Sequence, residues 1–225
     1  MIDEYLIEVL NKSGFVQIDG ALKNMRVIQY GTVAYDWYYS GWRITYPNMG
    51  FIPIVMVSPP AGTYGSYNWS YDLCSGRADY TSFQFFSFTT SESSGVGFNV
   101  DYVVLAPMPD LLISPPQYGV VLQDENNSIV FSSAEKYMAI DMIHSISTLF
   151  PGYTYYVDVA LPTIPFGKRY FSVNTHFTES GYGLATSGIW LVNQNTVRIG
   201  QLGWWGTGIR SYGEPMQTLI GYFNP

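Results

Sequence analysis

The chain is poor in charge, in cysteine, in histidine and in long apolar runs, and each shortage closes a class of function. Charged residues make up only 12% of the 225 residues, and the net charge of −7 carries no basic patch that would suit a nucleic-acid surface. Cys74 is the single cysteine, so no intrachain disulfide can form, and its simplest role is that of a small side chain in packing. His144 and His176 are the two histidines, and neither stands in an HxxxH or HxH spacing that would ligate a metal. No apolar run is long enough to span a bilayer, and Met1 is followed by acidic residues rather than by a secretory pattern. The sequons at Asn68 and Asn126 carry no meaning without a secretory route.

Catalytic patterns are missing too. No serine sits in a GxSxG elbow, and Cys74 has no histidine near it in sequence. "SGVG" at 94–97 and "GTG" at 206–208 lack the following helix that would cradle a phosphate, so they read as turns. A glycosidase needs two carboxyls facing across a cleft, and sequence alone cannot place such a pair among 17 acids. The expectation is a protein that is not an enzyme, with no cofactor, no metal and no catalytic residue.

What the chain does have is a repeat. Residues 5–27, "YLIEVLNKSGFVQIDGALKNMRV", slide without gaps onto 118–140, "YGVVLQDENNSIVFSSAEKYMAI". Tyr5 then meets Tyr118, Ile18 meets Phe131, Met25 meets Met138 and Val27 meets Ile140, while "NKSG" faces "DENN", both turn-forming runs. The match continues with small changes of spacing. "WRITYP" ending at Pro47 answers "VDVALP" ending at Pro162, "FIPIVMVSP" answers "FGKRYFSVNT", and "FNVDYVVLAP" answers "LIGYFNP". Two units follow, 1–109 and 118–225, joined by a proline-bounded linker at 110–117. Each is large enough to bury its own core.

Alternation and turn dipeptides make both units β. Aromatic residues reach 17%, with 20 Tyr, a balance that favours strands over helices. "SAEKYMAIDMIHSI" could carry a helical stripe through Met138, Met142 and Ile146. Its copy "NMRVIQYG" is too β-branched for one, so both are expected as strands. In the hairpin of residues 118–131, Val120, Leu122, Ile129 and Phe131 are expected on one face and Gln123 on the other. Ile18 and Phe131 are expected in the core. A sheet with one apolar face must cover it, so the expected fold class is all-β, two tandem repeated antiparallel β-sandwich domains.

The aromatic content exceeds what two small cores can hide. It concentrates in three Gly- and Ser-rich stretches, "YDWYYSGW" (35–42), "YGSYNWSYD" (64–72) and "GWWGTGIRSYG" (203–213). Tyr and Trp on loops supply large contact area at small entropic cost, with a polar tip for hydrogen bonding. Trp37, Trp42, Tyr67, Trp69, Trp204, Trp205 and Tyr212 are therefore the candidate contacts to a partner or receptor. Core packing is the competing role for any one of them.

The phrases "SGFVQIDGALKNMRVIQYGTV" (13–33) and "NNSIVFSSAEKYMAI" (126–140) resemble recurring phrases of small tail-module proteins of bacteriophages and prophages, of the tail-tip or tail-fibre type. The resemblance covers about a third of the chain and rests on structural hairpins. It departs at Asn127, where a Gly is usual, and at Ser132, where an Asp is usual. It implies a structural virion protein located in the tail and made in the host cytoplasm. Its partners would be copies of itself, as a homo-oligomer such as a trimer, other tail proteins, and a host surface receptor or glycan. Nucleic acid and membrane insertion are not among the implied partners. The alternatives are a tandem carbohydrate-binding module, with Trp42, Trp204 and Trp205 as stacking platforms, and a tail-associated glycan hydrolase. The first strand begins at "MIDEYLIEV" and the last runs nearly to Pro225, so attachment is expected through folded surfaces.

Overall fold

The structure, a computed structural model, describes residues 8–10, 16–19, 24–35, 43–58, 75–86, 98–107, 118–146, 154–164, 167–172, 178–180, 183–193, 195–203 and 216–225. Among these the chain is all-β, with antiparallel sheets and no helix. The first half contributes β1 (Glu8–Leu10), β2 (Val16–Asp19), β3 (Met25–Tyr35), β4 (Arg43–Thr45), β5 (Ile54–Ser58), β6 (Ser75–Ala78), β7 (Ser82–Phe86) and β8 (Phe98–Pro107). The second contributes β9 (Val121–Gln123), β10 (Ile129–Ser132), β11 (Ala139–Ile146), β12 (Thr154–Ala160), β13 (Lys168–Ser172), β14 (Thr178–Ser180), β15 (Gly183–Asn193), β16 (Thr196–Gly203) and β17 (Met216–Phe223). Strands form over Met25–Tyr35 and Ala139–Ile146, as β-branched content and alternation predict, but Met138 lies just before the second strand and residues 133–135 ahead of it form a turn.

Pairing in the second half repeats much of the pairing in the first, including two of its irregularities, while the β15–β16 pair adds a shift between Leu191 and Asn193 that β6–β7 lacks. Val9 faces Ile18 in one hairpin and Leu122 faces Phe131 in the other. Each hairpin then carries one extra residue at the same place, Gln17 and Val130. A second bulge recurs between the long strands. Val27 pairs with Leu105 and Gln29 with Val104, leaving Ile28 extra, while Ile140 pairs with Gly221 and Met142 with Ile220, leaving Asp141 extra. In the smaller sheets Ile44 faces Phe83 and Val159 faces Val197. The amides of Tyr46 and Leu161, two residues further on, donate to Thr81 and Asn195, each 2.9 Å away. A bulge bends and twists its strand at a fixed place, so matching bulges mean matching shapes.

The two halves meet in one sheet. Its order is β11-β17-β13-β5-β8-β3, three strands from each half, joined where β5 runs antiparallel to β13. The β5 sequence "IVMVS" is buried on both faces, as a central strand requires. Side chains alternate between two apolar clusters. On one face Val55, Val57, Val104, Phe171 and Ile220 pack with Ile44 and Phe83 of the β4-β7-β6 sheet and with Val159 and Val197 of the β12-β16-β15-β14 sheet. On the other face Met56, Val103, Leu105, Tyr170 and Phe223 pack with Val27 and Met138.

That second face is concave. Tyr30 on β3 and Phe223 on β17 are separated by three strands in the sheet order, yet their rings lie 5.4 Å apart, edge to face. The outermost strands also approach at one corner, where Arg26 forms an antiparallel bridge with Tyr137 and the Val27 amide donates to the Lys136 carbonyl at 2.7 Å. Asn24 holds the same corner, giving Val130 O one bond from its amide at 3.0 Å and one from Nδ2 at 2.8 Å.

The hairpin at residues 118–132 corrects the expected facing. Val120 is 55% exposed rather than turned to the core. The bulge at Val130 buries Ile129 and Val130 together and leaves Phe131 half-buried, stacked on the Tyr137 ring at 4.9 Å. The side chain of Ile18 and all of Tyr5 lie outside the described residues. The turn itself is built as its residues dictate. Asp124 accepts from the amides of Asn126 at 2.9 Å and Ser128 at 2.8 Å, and Asn127 stands at φ 60°, a left-handed position that Asn tolerates and Gly favours.

Core truncation should separate these environments. Phe171 is fully buried, and Phe171→Ala should cost about 3–5 kcal/mol in urea unfolding. Phe131→Ala should cost no more than about 1–2 kcal/mol, because the ring keeps part of its surface in water. Equal losses at the two positions would contradict the burial seen here.

Candidate functional site

The symmetry of the pairing makes the two ends of the concave face equivalent in backbone and lets their chemistry be compared position by position. At one end Asp101 on β8 accepts from Lys168 Nζ on β13 and from Thr32 Oγ1 on β3. Tyr30 lies beside them, with Lys136 Nζ 4.5 Å from its ring centroid and 2.9 Å from its hydroxyl. Tyr170 and Phe223 close the floor, ring centroids 6.3 Å apart. Burial works against the charge on Asp101, but the bonds from Lys168 and Thr32 and the Lys168 charge outweigh it and hold its carboxyl below the usual range. Burial, with Asp101 adding to it, pushes the Tyr170 hydroxyl up to about 12.

At the other end the same backbone positions carry other side chains. Ile143 stands where Tyr30 does, Ser145 where Thr32 does and Gln217 where Asp101 does, and Ile52, two residues before β5, corresponds to Lys168 by the offset that relates Ile54 to Tyr170. The ion pair is gone, and Ile143 and Ile52 are exposed, 45% and 52%. One end therefore carries an ion pair beside a Tyr30 that is itself 44% exposed, and the other replaces the pair with Gln217 and Ile52 and the tyrosine with Ile143.

Several other charges among the described residues serve the framework. The bulge residue Asp141 meets Arg169 at 3.1 Å with both side chains about one-tenth exposed, and Arg169 also donates to the Pro162 carbonyl. Arg198 holds Asp158 through two bonds across the β12–β16 pair, and the bonds from Arg198 keep the Asp158 carboxyl low against a smaller burial penalty. Arg26 pairs with Glu135 at 3.0 Å across the two halves. Asp79 caps the β6–β7 turn, accepting from the amides of Thr81 at 2.8 Å and Ser82 at 2.6 Å and from both hydroxyls. These bonds, that of the Thr81 amide foremost, lower its pKa to about 2. The Tyr46 hydroxyl lies 2.8 and 2.7 Å from the carbonyl oxygens of Asp79 and Ser82, and burial with the Asp79 charge raises it to about 12.

Trp37, Trp42, Tyr67, Trp69, Trp204, Trp205 and Tyr212, the contacts read from sequence, all lie outside the described residues, as do Cys74 and His176. His144 sits on β11 opposite Thr218. Among the described residues no group of three His, Cys, Asp or Glu side chains could hold a metal ion, and no helix is long and apolar enough to cross a membrane. Sequence reading missed the unequal ends, because they emerge only when β3, β8, β13 and β17 are brought onto one face. Aligning the two repeats does pair Tyr30 with Ile143, and that was the available signal. The chain matches no protein-family model, no curated protein and no solved structure.

Acid should loosen the turns and pairs before the core. A carboxyl held below its unfolded pKa stabilises the fold fully above that unfolded value and loses the contribution as pH falls through the folded one. For Asp79 the fall runs from its ordinary value of 3.8 towards about 2. The urea midpoint should therefore drop on acidification through this window, and Asp79→Asn should make the drop shallower. For the near-buried pair, Asp141→Ala should cost about 3 kcal/mol at neutral pH, since it strands the Arg169 charge. A loss no larger than that of an exposed carboxylate would show that Arg169 finds water instead.

Proposed function

We propose that this protein is a structural component of a bacteriophage or prophage tail, of the tip or fibre type, assembling with copies of itself and with other tail proteins in the virion. The observation that carries this reading is the unequal pair of ends on one duplicated sheet. The same backbone positions present the satisfied Lys168–Asp101 pair at one end and exposed Ile52 and Ile143 at the other. A protein that meets different neighbours at its two ends needs such a difference between them. The hairpin phrases around Ile18 and Phe131 supply the likeness to tail modules.

On this reading the units 1–109 and 118–225, with 110–117 between them, are two copies of one sandwich-forming unit. The aromatic stretches supply contacts beyond the described framework. "YDWYYSGW" lies between subunits of a homo-oligomer, a trimer by the cyclic closure usual for elements that continue a tail. "GWWGTGIRSYG" faces outward, towards a host receptor or a neighbouring tail protein.

Light scattering at micromolar concentration and protein identification in purified particles test the reading together. A stable monomer that is absent from particles would sink it. Trp205→Ala should weaken the outward contact and leave the oligomer intact. Glycan-array binding that vanishes in Trp204→Ala, from a protein without affinity for tail components, would favour a carbohydrate-binding module instead.

A further inference from the structure

The pairing between the halves is self-equivalent wherever the structure describes it. Across the β5–β13 seam, Met56 pairs directly with Ser172. These two residues are each other's repeat equivalents, because Ile54 and Tyr170 occupy matching places opposite Leu105 and Gly221. At the corner where the sheet comes round, the Arg26–Tyr137 bridge sets Met25 opposite Met138, again a pair of equivalents. The principal strand contacts between the halves obey the same rule: β5 lies against β13, β6 against β15, and β2 against β10. A residue can face its own equivalent across an antiparallel pair only on a two-fold axis, so one axis passes through the Met56–Ser172 and Met25–Met138 pairs. An isologous interface has this property, and two unrelated surfaces would acquire it at several places only by coincidence.

We infer that the β5–β13 seam is a self-association surface of one duplicated unit, whose fitting partner is a second copy of that unit, and that this chain is such a dimer in covalent form. The seam is dimer-like in composition as well. Met56, Val57 and Phe171 are fully buried, and the ion pairs between halves lie away from them, Lys168–Asp101 bridging β13 to β8 and Arg26–Glu135 at the corner where the sheet comes round. An apolar centre with charged pairs outside it is how subunits meet. The linker then supplies proximity, raising the local concentration of one unit for the other, and supplies no part of the interface. This inference is independent of any role in a tail.

Order along the chain should therefore be immaterial. A permuted chain running 118–225, then 108–117, then 1–107 keeps every residue and exchanges the halves. The two-fold requires the same linker to span the new junction, since it relates the start of one unit to the start of the other. The permuted protein should give the far-UV circular dichroism and hydrodynamic radius of the parent, and melt cooperatively within about 4 °C of it. A disulfide between Met56→Cys and Ser172→Cys, in a Cys74→Ala background, should form in both parent and permuted chains and read the seam directly. A permuted chain that is soluble without a cooperative transition, or that folds without forming the disulfide, would overturn the inference. So would an insoluble permuted chain whose parent forms the disulfide, because the halves would then depend on their covalent order.

Discussion

Everything in this fold depends on one short antiparallel contact, β5 against β13. It places Val57 opposite Phe171 and Met56 opposite Ser172 and so makes one sheet out of two three-stranded ones. Without it, β5 and β13 would each be a bare edge with apolar side chains on both faces, a template for aggregation. With it, Val55, Val57 and Phe171 become the middle of a cluster that both smaller sheets cover. The seam thus solves an edge problem and a core problem together. It also explains why "IVMVS" lacks the alternation of its neighbours: both of its faces are inside.

The bulges show how the duplicated backbone tolerated divergent chemistry. Ile28 and Asp141 are the same extra residue in the two halves, yet one packs against the apolar cluster and the other binds Arg169. Arg169 in turn stands where the first half has the buried Pro53. Swapping an apolar contact for an ion pair costs desolvation, which is offset only if the charges are well satisfied. Here Arg169 has a carboxylate and a backbone carbonyl, so the substitution is consistent as a set. Gly221 marks a similar accommodation. It is the repeat equivalent of Leu105, but a Cβ there would run into the Ala139 carbonyl oxygen, so the second copy of the bulge closes more tightly than the first.

Much of the framework was legible in the sequence, for a physical reason. Hairpins are local, and the matches between 5–27 and 118–140 preserve alternation and turn alike, so the strands starting at Met25 and just after Met138 could be read directly. The offset between repeats drifts from 113 residues at Met25 and Met138 to 116 at Ile54 and Tyr170. Insertions in the connections absorb the drift, so Phe51 of "FIPIV" corresponds to Gly167, one residue beyond the phenylalanine that its sequence suggests. What sequence did not give was the facing of Val120 and Phe131, because a bulge leaves no mark in an apolar run. Nor did it give the shared sheet. Strand pairing between distant segments has no local signature, and two units of this length invite a reading as separate bodies.

The candidate site was the least legible part. Composition drew attention to tryptophans in Gly-rich loops, whereas the described framework differentiates its two ends with Tyr30, Asp101, Lys168, Ile52 and Ile143. Duplication supplies the reason for looking there. A two-fold presents each surface twice, and selection acting on one copy leaves the other as its reference. Where both copies keep the same residue type, as with Met25 and Met138 or Ile44 and Val159, packing explains the constraint. Where one copy keeps a satisfied ion pair and the other carries isoleucine, the two copies diverge in surface chemistry, with Ile52 and Ile143 each about half exposed. The ends thus differ in the side chains they carry, and the framework beneath them is what both ends have in common.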